Sequence, residues 1–179
     1  MGTKPTRDTG GANPRAPIAA EPLTEAAFCA YGEIVENRTG LRRRDLSVPF
    51  QATDVAAAPA LWVNRLEQHG SSGIHIDRME CHPHSAQTFV PMHLSRCLAV
   101  VALSDGDGKP DLGSLRAFVT QAGQGLCYRP AVWHYAFTSL DGPNEVVVIM
   151  GSAGGDGDTI VEPVIPGVDV MLEPDRENA

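Results

Sequence analysis

The chain has 179 residues and a net charge of -8, with 22 acidic against 14 basic side chains. That length suits one domain with its own hydrophobic core, and the acidic balance argues against a reader of nucleic-acid phosphates, which would present a basic face. No apolar run approaches the roughly 18 residues that span a bilayer, and the start of the chain lacks the apolar stretch of a signal peptide. The expected setting is therefore the cytoplasm, without membrane or nucleic-acid partners. Cys29, Cys81, Cys97 and Cys127 form no C-x-x-C pair, so they are read as free thiols in a reducing compartment.

Residues 1–20 are rich in Pro, Gly and charge and are read as a flexible N-terminal tail. Residues 21–179 are read as a single domain. "LTEAAFCAYGEIVE" predicts a short helix with Thr24 as N-cap and Gly32 as its stop, then a first strand at "EIVE". From Leu61 to Met150 eight short β-branched or aromatic segments follow, from "LWVNRL" to "EVVVIM". Turn clusters such as "HGSSG" and "DGPN" separate them. This spacing predicts a sandwich or barrel and disfavours a parallel βαβ sheet, since no long helical pattern intervenes. "IVEPVIPGVDVML" is read as an edge segment because of its prolines. "CLAVVALS" and "EVVVIM" are dense enough in apolar residues to pair across a subunit edge or to be core.

Three groups of residues could carry chemistry. His82 and His84, two apart, share a face if they lie on a strand, and could then share a metal through neutral imidazole nitrogens. Gln87 joins them only across a bulge or turn. Tyr128, Trp133 and His134 flank a turn at Pro130, where a histidine beside an aromatic fits a ligand or an acid–base group, or a hydrogen-bonded core histidine. Among the arginines, Arg116 lies inside an apolar strand, where a charge needs a partner or a ligand. Arg65 and Arg129 are alternatives for holding a carboxylate in a bidentate contact. "LRRRDL" reads as a solvated loop, and "SDGDGKPDLGS" lacks the closing Glu of a calcium loop.

The segments "PLTEAAFCAYGEIVE", "CHPHSAQTFVPM", "VVALSDGDGKPDLGSLRAFVT" and "GQGLCYRPAVWH" together resemble the ureidoglycolate lyase family of the cupin superfamily. The resemblance implies a mainly all-β fold, a cupin-type antiparallel β-barrel or jelly roll with a short N-terminal helix. It implies a C–N lyase that converts ureidoglycolate to glyoxylate and urea in allantoin and purine breakdown. It also implies a homodimer and a divalent metal, nickel. The family's E-R-H-P-x-x-x-Q corresponds to Glu80-Cys81-His82-Pro83-His84-Ser85-Ala86-Gln87, with Cys81 in place of the arginine. Its Y-H-x-x-x-W-H-H corresponds to Tyr128 through Tyr135, with Arg129 and Tyr135 in place of two histidines. Arg116 falls in its L-R-A-F.

On that correspondence, His134, Tyr128 and His82 are the expected catalytic residues. Arg116, Gln87 and Trp133 are expected to bind substrate, and His82, His84 and His134 to hold the metal. The H-x-H of the cupin pattern is present, while the acid expected after three or four intervening residues is replaced by Thr88 and Phe89. Two other readings stay open: a metal-dependent cupin enzyme of different chemistry, and a non-catalytic cupin that binds a small molecule.

Overall fold

The computed structural model describes residues 15–69, 73–154 and 157–172. Its centre is a ring of six strands: β6 (Cys97–Ala102), β7 (Arg116–Val119), β1 (Ile18–Pro22), β12 (Ile160–Met171), β4 (Ile74–Cys81) and β9 (Trp133–His134). The ring closes because β9 pairs with β6 as well as with β4. It is a mixed barrel, since β1 runs parallel to both of its neighbours. A two-residue strand, β10 (Thr138–Ser139), adds to the free edge of β6. Five further strands form an antiparallel sheet in the order β2 (Gly32–Val35), β8 (Gly125–Tyr128), β5 (Gln87–Pro91), β11 (Asn144–Ser152) and β3 (Ala58–Leu66).

Strand β6 shows how the two layers share one core. All six of its residues are buried. Leu98, Val100 and Ala102 point into the barrel, among Ile76, Met79, Ala117, Trp133 and Val168. Cys97, Ala99 and Val101 point outward against Phe28, Phe89, Phe118, Leu126 and Tyr128, where the five-stranded sheet packs on the barrel wall. A strand with a core on each side has no polar face, so it reads as an unbroken apolar run. "CLAVVALS" is therefore interior and paired on both sides, and not a subunit edge. Strand β11 is likewise paired on both sides, by β5 and β3, but mainly one of its faces is buried.

Helix α1 (Glu25–Phe28) starts as its sequence predicts, with the Thr24 hydroxyl accepting from Ala27 N–H at 3.3 Å. It docks through Phe28, whose ring meets Phe118 edge-on at 5.5 Å. Gly32 has a different role from a helix stop. A Cβ at that position would sit 1.8 Å from the Cys127 carbonyl oxygen, so the close approach of β2 to β8 requires glycine.

Two further expectations are corrected. Strand β1 begins at Ile18, inside the stretch read as a tail, while residues 1–14 lie outside the described residues. Strand β12 lies between β1 and β4 and is not an edge. Its prolines are tolerated because the register against β4 shifts between Pro163 and Val168, where ladder bonds are already interrupted. The five-stranded sheet ends in β2 on one side and β3 on the other, and β3 exposes Leu61, Trp62 and Val63.

Asp141 closes the β10–β6 pair. It accepts the Arg96 backbone N–H at 2.8 Å and the guanidinium at 2.6 Å and 3.0 Å. The Arg96 guanidinium holds the Asp141 carboxyl below its usual range, against an opposing effect of burial. A depressed carboxylate stabilises the fold fully above its unfolded value, and this is lost as pH falls through the folded value. Asp141→Asn should therefore cost about 1 kcal/mol at neutral pH, after solvent screening. The gap to the parent in thermal unfolding should narrow once the pH drops below about 3.9. A gap that is the same at every pH would show that the charge contributes nothing.

Candidate functional site

The site begins with the alternation of β4. Met79 and Cys81 point into the barrel. Arg78 and Glu80 point the other way and line a cleft of about 290 Å³, together with His134, Tyr135, Ala136 and Val161. Glu80 and His134 are directly paired across β4 and β9. The strand ends at Cys81, and the chain turns through His82, Pro83 and His84. That turn brings the His82 ring to 5.3 Å from the ring of His134.

Both histidines are buried, and each is oriented by a backbone carbonyl. His82 Nδ1 lies 2.8 Å from Asp158 O, and His134 Nδ1 lies 3.1 Å from Val132 O. A carbonyl oxygen can only accept, so Nδ1 carries a proton in both rings; Nε2 then holds the lone pair in a neutral ring and, on His134, a second proton toward Glu80 when that ring is charged. His134 Nε2 is 3.4 Å from Glu80 Oε1. That contact has the distance of an ion pair and lacks hydrogen-bond geometry, since the nitrogen counts among the buried atoms without a partner. One ligand atom from each of Glu80, His82 and His134 lies within 4.8 Å of the other two. Burial, reinforced by the charge of His134, pulls the His82 pKa below the usual histidine range. The contact with His134 draws the Glu80 carboxyl down despite its burial. At neutral pH the pocket thus holds a carboxylate and a neutral His82.

The second sheet packs against His134 from behind the cleft. Gln87 and Tyr128 are cross-strand partners on β5 and β8, and the Tyr128 ring stacks on His134 at 4.5 Å and 22°. Burial pushes the Tyr128 phenol far above its usual value, so it stays protonated. His82 Nε2, His134 Nε2, Tyr128 Oη and Gln87 Oε1 are all buried without a hydrogen-bond partner among the described residues. Each such atom costs about 1–3 kcal/mol if nothing meets it. Four of them on side chains joined by pairing or stacking mark a place built for a ligand.

Other expected residues lie elsewhere. His84 does not share a face with His82, because the two lie in a turn and not on a strand. Its ring faces Thr53 Oγ1 at 3.2 Å. Trp133 is adjacent to His134 and so points to the opposite face, where it is fully buried inside the barrel. Arg116 donates to Glu21 Oε1 at 2.7 Å and to Ala27 O at 2.8 Å, and stacks 4.8 Å above Phe118. It ties β7 to β1 and α1. Arg129 reaches the Cys29 carbonyl, and Arg65 lies near Glu67.

The two residues that reasoning from sequence missed are Glu80 and Arg78. The acid was sought after His84, where the cupin pattern places it. Counting back from His82 by strand alternation would have reached both.

Arg116→Ala should lower stability by about 2 kcal/mol, because it removes charge-assisted bonds and leaves a carbonyl unmet. It should leave ligand affinity at the cleft unchanged. Weakened binding in a protein of unchanged melting temperature would restore Arg116 to the site.

Fold and site together define a class: an all-β barrel protein with a two-histidine, one-carboxylate cluster at the rim of a small-molecule cleft. The profile of the ureidoglycolate lyase family matches residues 15–170. A putative ureidoglycolate lyase of Agrobacterium fabrum is 32% identical over 155 residues, covering 87% of this chain and 95% of the relative. The ureidoglycolate lyase of Escherichia coli is 32% identical over 151 residues, covering 80% and 91%. That of Burkholderia mallei is 30% identical over 159 residues, covering 83% and 89%. The chain belongs to the ureidoglycolate lyase family.

Among solved structures, a dTDP sugar isomerase from Desulfovibrio desulfuricans is similar at a TM-score of 0.44 and 13% identity, covering 72% of this chain and 71% of that one. A Bacillus subtilis oxalate decarboxylase is similar at a TM-score of 0.41 and 16% identity, covering 75% and 28%.

Proposed function

We propose that the protein is a ureidoglycolate lyase, breaking the C–N bond of ureidoglycolate to give glyoxylate and urea in cytoplasmic allantoin and purine breakdown. The observation that carries the reading is the convergence of Glu80 Oε1 with the Nε2 atoms of His82 and His134. With both rings neutral these atoms are three acceptors facing one another, a set that a cation among them would satisfy. Two imidazoles and a carboxylate suit a divalent first-row metal such as nickel, and Glu80 takes the place expected for His84. Such an ion, when bound, supplies Lewis-acid polarisation of the substrate's oxygens.

The side chains account for the rest of the reaction. Arg78 lines the same cleft as Glu80, and its nearest acid, Asp77, is 3.9 Å away. That leaves its guanidinium to take the substrate carboxylate. Glu80 faces the cleft as a carboxylate and receives the proton of the carbinol hydroxyl. The C–O bond becomes a carbonyl, the C–N bond breaks, and the same proton passes to the departing urea nitrogen. Atoms therefore balance with no further reactant. Tyr128 holds its proton too tightly to act as the acid and serves as a neutral hydrogen-bond donor. Gln87 Oε1 is the buried acceptor suited to a urea N–H.

Urea release by the purified chain should fall when a chelator removes the metal. His134→Asn should fold, lose metal, and drop kcat by about 100-fold or more. Arg78→Ala should raise KM about tenfold with kcat nearly kept, as loss of a binding contact shared by ground and transition states would do. Full turnover in a folded His134→Asn protein would overturn the proposal.

A homodimer is part of the same reading, with β3 as the contact. This edge strand is nine residues long and leaves Leu61 67% and Val63 51% exposed. Val63→Lys should convert a dimer mass to a monomer mass in light scattering. A parent chain that is already monomeric at micromolar concentration would rule the contact out.

A further inference from the structure

The turn that carries His82 is held in place by a residue distant in sequence. Asp158, between β11 and β12, is only 4% exposed. Its Oδ1 accepts the His84 backbone N–H at 2.7 Å, and its Oδ2 accepts the Ser85 hydroxyl at 2.5 Å. Its own carbonyl accepts from His82 Nδ1 at 2.8 Å, and Thr159 Oγ1 lies 3.4 Å from the same nitrogen. A buried carboxylate needs hydrogen-bond donors to offset its lost hydration, and here both donors belong to the His82–Ser85 turn. The carboxylate thereby locks the turn at the one place where the Asp158 carbonyl reaches the His82 ring.

We infer that Asp158 is the positioning residue of the site: by anchoring the turn it fixes His82 in the Nδ1–H tautomer and aims Nε2 at Glu80 and His134. A histidine side chain free in water favours the Nε2–H tautomer, so the protein must impose this one. An outer carboxylate that orients a ligating histidine is a common support for metal affinity. Here the support acts through the backbone carbonyl of the same residue. The carboxylate holds the turn and the carbonyl holds the ring. The metal arm of this inference rests on the function proposed above, and the tautomer arm does not.

The test uses the full chain, labelled with ¹⁵N and free of metal, near neutral pH. Two-bond ¹H–¹⁵N spectra assign the protonated nitrogen of His82, with His82→Asn identifying the signal. The parent should show the Nδ1–H pattern. Asp158→Ala should lose it, and Asp158→Asn should keep it, because the amide oxygen still accepts from His84 N–H. Titration with nickel(II) should show about 10–100-fold weaker binding in Asp158→Ala and near-parental binding in Asp158→Asn.

If Asp158→Ala does not fold, Ser85→Ala removes one of the two anchoring bonds and should weaken nickel binding by a smaller factor. An Nε2–H pattern in the parent would overturn the inference. So would a folded Asp158→Ala, or Ser85→Ala in its stead, with the parental pattern and parental affinity. A parent that binds no nickel at all would sink the metal reading, while the tautomer pattern would still decide the role of Asp158.

Discussion

Closure of the barrel through β9 is the constraint on which the rest depends. That strand is only two residues long, yet it joins β6 to β4 through the pairs Val101–His134, Ala102–Trp133 and Glu80–His134. Closing the ring removes two sheet edges, whose unpaired backbone groups would otherwise need water or another chain. It also sorts two neighbouring aromatic side chains to opposite faces. Trp133 enters the barrel and fills it, while His134 faces outward beside Glu80 and under the second sheet. A slip of one residue in β9 would exchange them, putting an imidazole in the apolar core and an indole in the cleft.

The pocket is assembled by two layers that contribute different chemistry. The barrel wall brings Glu80, His82 and His134, three groups able to bind a cation. The five-stranded sheet brings Tyr128 and Gln87, a donor and an acceptor suited to a neutral amide. Both histidine rings are fixed by main-chain carbonyls, so their lone pairs need no rearrangement when a ligand arrives. Such preorganisation lets a few groups act without reorganising. The open side of the cleft carries the exposed guanidinium of Arg78.

Two of the three departures from the family's motifs lie outside the chemistry. Cys81 points into the barrel core, and burial pushes its thiol up to about 11, so it behaves as an apolar filler. Arg129 turns away to the Cys29 carbonyl beyond the helix. Only Tyr135 lines the cleft. It adds an aromatic edge near Ala136 and Val161 where the family has a histidine, and it leaves the Glu80, His82 and His134 set intact.

Much of this molecule was legible in one dimension. The turn residues between short β-branched runs define an all-β chain, and Thr24 marks the helix start through a local hydrogen bond. The pairing of His82 with His134 followed from motif resemblance, since motifs preserve spacing along the chain. What sequence could not settle were questions of facing and partnership across long separations. Arg116 looks like a buried charge awaiting a ligand, and only the fold brings Glu21 and the Ala27 carbonyl to it. Strand β12 looks like an edge because of its prolines, and only the register shift against β4 shows how a central strand tolerates them. His84 and Glu80 flank His82 at equal distances in sequence. The strand ends between Cys81 and His82, so period-two alternation holds backward to Glu80 and fails forward to His84. The residue types of the site were set by local sequence, which fixes what each side chain can donate or accept. Which of them meet was decided by tertiary structure, because contacts between strands depend on register and closure, and neither leaves a local trace.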